Sequence, residues 1–197
     1  MPLGELSVSV EMVRPGRRVT LSEGSVRDDR GTEVARARAL RVRPSSFGEP
    51  VTGSLPFPGP QAGRPSDFRR TDSPMFSPDA IEIRFVEGAF YTPGPATAWF
   101  RLRQPLVAGE QPSPVQRLAA AADFGNGISS VLSWSEHLFI NPDLTLYIER
   151  EPRGEWVGLQ SQTRIAAGSV AVAESVLWDE WGPIGRATQA LVVSRRD

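Results

Sequence analysis

The sequence predicts an α+β fold in which one antiparallel sheet wraps a single long helix, and two observations predict it. The first is the stretch 116–142, QRLAAAADFGNGISSVLSWSEHLFINP, which opens on a run of Ala. Ala is the strongest helix former and takes up no side-chain room, so a helix of this kind can be enclosed closely by other elements. The second is the pattern on either side of it, where apolar and polar residues alternate with the period of two that marks half-buried strands. At 197 residues the chain can hold one large domain or two small ones and bury a core.

Taken in order, Leu6, Val8 and Val10 alternate with Ser7 and Ser9 and predict a first strand, which Pro15 and Gly16 turn. Residues 19–26 and 33–42 are the next strands, with the sequence DDRG between them, so the three read as a meander. Residues 45–78 change character: Pro, Gly, Ser, Asp and Arg dominate, as in an interdomain linker, with Leu55, Phe57, Phe68 and Met75 available to pin it to a surface. Strands are expected again at 80–86 and 97–102, then a loop over 105–114, then the Ala-rich helix. Gly125, Asn126 and Gly127 read as the stop of that helix, and an apolar run over 131–140 follows. Strands at 144–150, 156–164, 169–179 and 184–193 complete the chain, with Gly154, Gly168 and the pair Gly182, Pro183 as turns.

An internal repeat sets the organisation. LSVSVE at 6–11 is echoed by LTLYIE at 144–149, each followed by a turn containing Pro and Gly. DDRG with ARARALRV in the first copy parallels DEWG with GRATQALVV in the second. The second copy has its own strand and helix in front of it, and the first has five residues, so the first copy is expected to lack its front half. Three parts are therefore expected: residues 1–44 as a partial module made of strands only, 45–78 as the linker, and 79–197 as a complete module.

Composition removes several classes of function. The net charge of −1 offers nothing to nucleic acid or an anionic membrane. With no Cys and His137 the only His, thiolate zinc sites, a Cys nucleophile and a Ser-His-Asp triad lack material. Neither a metal nor a cofactor is expected. All 22 basic residues are Arg, which we attribute to a GC-rich genome. No run is long enough to span a bilayer, and the cytoplasm is the expected compartment.

One residue stands out: Asp123, an acid within the Ala-rich helix, where helix propensity is poor and burial without partners is costly. From AADFGNG around Asp123, HLFINPDLTL beyond it and GRATQALVV around Gln189, the chain resembles the TesB-like acyl-CoA thioesterases, which carry two hot-dog modules in tandem. The resemblance implies the hot-dog fold, with the first of two modules incomplete at its N-terminal end. It implies an acyl-CoA substrate and hydrolysis of the thioester, with Asp123 and Gln189 standing where that family has its catalytic acid and amide. It also implies a third polar residue early in the strand after the helix, and here Ser133 and Ser135 both fit. In a regular strand the two would share a face. A homo-oligomer formed through the sheets is expected as well. Two other readings use the same residues: a non-catalytic acyl-CoA or lipid-binding module, and a truncated, inactive thioesterase. A hot-dog dehydratase or hydratase is disfavoured by the shortage of His.

Overall fold

The computed structural model describes residues 4–45, 55–68, 75–166 and 170–196. The chain divides into two compact units, Met1–Pro50 and Val51–Asp197.

The first unit is the expected meander of three antiparallel strands, β1 (Leu6–Arg14), β2 (Val19–Asp28) and β3 (Glu33–Val42). Its register aligns Val8 with Val26 and Val10 with Gly24, and Gly24 in turn with Ala37, so one face is apolar and small. On the other face Glu23 accepts from both Arg36 and Arg38. The β2–β3 hairpin is closed by Asp28, whose Oδ1 accepts the N–H groups of Arg30 and Thr32, and by Gly31 at φ 77°. An Asp carboxylate that caps backbone donors two residues on is a common way to shape such a turn.

The second unit is a sheet of eight strands around a helix. Its strands are β4 (Arg64–Pro65), β5 (Ile81–Ala89), β6 (Thr92–Leu102), β7 (His137–Ile140), β8 (Thr145–Ile148), β9 (Val157–Ile165), β10 (Val170–Asp179) and β11 (Gly182–Arg195). They are ordered β4-β5-β6-β9-β10-β11-β7, with β8 also on β11. The helix α1 (Pro114–Ala122) starts earlier than the Ala run suggests, because Ser113 and Gln116 form a reciprocal cap and Pro114 takes the first helical position. Its Leu118, Ala121 and Ala122 are fully buried against Ile83, Phe85, Ala98, Phe100, Leu159 and Leu177. The small side chains let the helix lie close in the curl of the sheet, as the sequence predicts.

Three expectations change. Gly125–Asn126–Gly127 does not end the helical path: the chain turns at Asp123 and Phe124 and resumes as a short helix α2 (Gly125–Ile128). The supposed linker is in part built into the second unit. Phe57 lies against Trp99 and Trp178, the Trp99 indole N–H donates to the carbonyl of Pro58, β4 pairs with β5, and Phe68 packs edge-on against Phe90. Residues 46–54 and 69–74 of that stretch lie outside the described residues.

The third change is the register of the repeat. β1 is the neighbour of β2, whereas β8, its supposed counterpart, lies along β11 at the far edge of its own sheet. The strand that matches β1 is β9: both have nine residues, both are followed at the same spacing by a ten-residue strand, and both precede an Asp-closed hairpin. Asp179 repeats the Asp28 contact, its Oδ1 accepting the N–H of Trp181. The repeated unit is thus β1-β2-β3 and β9-β10-β11, and the parallel between DDRG and DEWG holds within it. Among the described residues no helix is long and apolar enough to cross a membrane.

Candidate active site

Asp123 sits at the C-terminal cap of α1, still in helical conformation, with its N–H donating to the carbonyls of Ala119 and Ala121. Asp123 as a residue is exposed. The sheet reaches it through Gln189 of β11, a polar side chain with only 1% of its surface exposed. Gln189 Nε2 donates to the Asp123 carbonyl at 3.1 Å and to Asp123 Oδ1 at 3.3 Å. Its Oε1 accepts the N–H of Asn126 at 2.9 Å, which fixes the orientation of the amide, because only an oxygen can receive that donor. One buried amide therefore ties the helix turn at Asp123 and the start of α2 to the sheet.

Gln189 belongs to a polar seam that crosses the inner face of the strands. Ser161 of β9 and Ser175 of β10 share a hydrogen bond at 2.7 Å, and Thr163 of β9 meets Ser129 at 2.8 Å. All four are buried. On one side of the seam lies the main core with Leu159, Leu177 and Ala187, and on the other a smaller cluster with Phe139, Ala173 and Leu191. α2 lies directly on the seam. A Cβ on Gly125 would stand 2.7 Å from Ser175 Oγ and 3.2 Å from Gln189 Oε1, so only Gly lets the backbone come this close.

Asn141, which sequence reasoning missed, is the third contact of the site: its Nδ2 donates to Asp123 Oδ1 at 2.9 Å. The sequence signal is faint, an Asn before a Pro in HLFINPDLTL. Ser133 and Ser135 behave differently from the expectation. Residues 131–136 form a turn, not a strand, and regular pairing begins only at His137. The two hydroxyls bond to each other at 2.7 Å, Ser133 Oγ also accepts the N–H of Ser135, and neither hydroxyl is hydrogen-bonded to Asp123 or Gln189. His137 is half-buried beside Phe139. Among the described residues no group of three or more His, Asp or Glu side chains could hold a metal ion.

The sequence matches the family of acyl-CoA thioesterase C-terminal domains over residues 54–193. The chain belongs to that family. A comparison with curated proteins finds no match. Among solved structures, a candidate thioesterase from Novosphingobium aromaticivorans is 21% identical, with a TM-score of 0.70 over 95% of this chain and 72% of that one. A hot-dog protein of unknown function from Alicyclobacillus acidocaldarius is 14% identical, with a TM-score of 0.72 over 96% of this chain and 73% of that one. The acyl-CoA thioesterase II TesB2 of Mycobacterium marinum is 16% identical, with a TM-score of 0.65 over 96% of this chain and 74% of that one. At these identities the likeness establishes the fold, which is the hot-dog arrangement that the resemblance to TesB-like thioesterases implies. Within this thioesterase-family domain, Asp123 and Gln189 are brought together by the wrapping of the sheet around the helix.

Proposed function

We propose that the protein hydrolyses acyl-CoA thioesters, with Asp123 as general base and Gln189 holding it in place. The single observation that carries this reading is the Gln189 amide bridging to both the carbonyl and the carboxylate of Asp123 from within the sheet. A thioester is activated enough that water can attack it directly, provided the water is held in place and deprotonated as it attacks. In this scheme Asp123 accepts a proton from water, the resulting oxygen nucleophile adds to the carbonyl carbon, and the carbon–sulfur bond breaks. The CoA thiolate leaves and takes up the proton, giving free acid and CoA thiol. Both hydrogens of the Gln189 amide are engaged with Asp123, which supports an orienting role.

The third polar position remains with Ser133 or Ser135 in this proposal, and substitution decides it. The test is release of free thiol from a panel of acyl-CoA esters by the wild type, Asp123→Asn, Ser133→Ala and Ser135→Ala. Loss of general-base catalysis costs roughly 100-fold or more, so Asp123→Asn is expected to lose at least that in kcat while remaining folded. A clear loss in one serine variant identifies the third group, and two silent variants remove both. Wild-type turnover by Asp123→Asn would defeat the assignment. Acyl-CoA binding without turnover by the wild type would favour the non-catalytic binding module, which the exposure of Asp123 and the serine pair's engagement with itself also favour.

A further inference from the structure

β7 and β8 pair antiparallel with the same edge of β11, Ile140 opposite Val192 and Thr145 opposite Thr188. They are two halves of one edge strand, interrupted at residues 141–144, and the interruption stands opposite Gln189, Ala190 and Leu191. The sequence there, Asn-Pro-Asp-Leu, explains the break. Pro142 has no N–H to give to the ladder and restricts Asn141 before it to extended backbone. Asp143 supplies what the ladder loses, its Oδ1 accepting the N–H of Ala190 at 2.7 Å. The irregularity is therefore pinned to the strand residue that follows Gln189, and it delivers the Asn141 side chain to Asp123. Interruptions of this kind re-aim side chains, often beside active sites.

Resting on the hydrolytic reading above, we propose that Asn141 is a positioning residue that selects Asp123 Oδ2 as the basic oxygen. Asn141 Nδ2 at 2.9 Å and Gln189 Nε2 at 3.3 Å both donate to Oδ1. A carboxylate oxygen has two lone pairs in its plane, and these two amides engage Oδ1 twice over. Oδ2 receives no protein donor among the described residues, so it is the oxygen left for water. Gln189 alone would hold Oδ1 through a bond at the long edge of the N–H···O range. A carboxylate so weakly held on an exposed residue can rotate and exchange its two oxygens, and the base then spends much of its time misdirected.

Because Asn141 acts through Asp123, its loss should lower kcat and leave KM unchanged. For Asn141→Ala and for the nearly isosteric, uncharged Asn141→Leu, a fall of about 10-fold to 100-fold is expected, the scale of a small misplacement of a reacting group. Placed on Asp123→Asn, the same substitutions should cost nothing further, since the oxygen they position is no longer basic. A merely structural role would lower both backgrounds alike, and that result overturns the inference. Crystal structures of the wild type and Asn141→Ala supply a readout free of activity. The Asp123 carboxylate should rotate or split into two orientations in the variant. If it keeps its orientation, the inference falls, whatever the wild-type rate. An inactive wild type whose Asp123 does rotate on loss of Asn141 would instead refute the proposed hydrolysis and uphold the positioning.

Discussion

Gly125→Ala is the smallest change that should disturb both the stability and the chemistry of the second unit. The added methyl would meet Ser175 Oγ at 2.7 Å and Gln189 Oε1 at 3.2 Å. Contacts under 3 Å cannot persist, so α2 must lift or the seam must part. Overpacking of this kind costs about 1–3 kcal/mol. The better helix propensity of Ala returns under about 1 kcal/mol, and little of that at the first residue of so short a helix. A net loss of about 2 kcal/mol lowers the melting temperature by about 4–8 °C for a unit of this size. Differential scanning calorimetry reads that directly. Gln189 holds Asp123 through the same amide that would be pushed, so thiol release should also fall, by about 10-fold or more. The cost should shrink when Gly125→Ala is made in a Ser175→Ala background, because one of the two clashing atoms is gone. That background has its own penalty of about 1–3 kcal/mol from the Ser161 hydroxyl left without its partner, so the comparison is with Ser175→Ala alone. An unchanged melting temperature together with an unchanged rate would refute the argument that the seam admits only Gly.

Asp179 is fully buried, which by itself would raise its pKa, but the Arg150 guanidinium and the N–H groups of Arg153 and Trp181 outweigh burial and hold it below the ordinary Asp value. A depressed folded pKa contributes stability that is present above the unfolded value of about 3.9 and is lost as pH falls below it. Asp179→Asn is therefore expected to lower stability at neutral pH by about 3 kcal/mol, since Arg150 still reaches solvent, and to flatten the decline in stability below about pH 4. A variant that keeps the wild-type acid profile would show that the pair is not responsible. Phe57→Ala should cost about 2 kcal/mol, roughly half the penalty for a fully buried Phe, and should expose residues 55–68 to limited proteolysis. Unchanged stability and cleavage would mean that the segment is held without Phe57, by the Trp99 bond to Pro58, by β4 and by Phe68.

The strands and the Ala-rich helix were legible in the sequence because alternation and helix propensity are local properties, carried by the residues themselves. Asp123 was legible for the same reason, as an acid where the local chemistry disfavours one. The strand expected at 131–136, around Ser133 and Ser135, is absent because strand-like alternation competes there with turn formation. The Ser133 carbonyl accepts the N–H groups of Glu136 and His137, and its hydroxyl takes that of Ser135, so local hydrogen bonds draw the segment out of the sheet. The repeat misled because LSVSVE resembles any exposed-edge strand, and a short pattern cannot say which neighbour it pairs with. The hidden residues are those whose role exists only through pairing. Ser161 and Ser175 look like ordinary polar positions until β9 and β10 align them under α2, and Asn141 looks like part of a turn until its contact with Asp123 is known. The sequence by itself determined which segments are helix and strand, and which acid is out of place. Tertiary structure decided what that acid touches, because the partners of Asp123 come from distant strands whose register is set by the packing of the whole sheet around the helix.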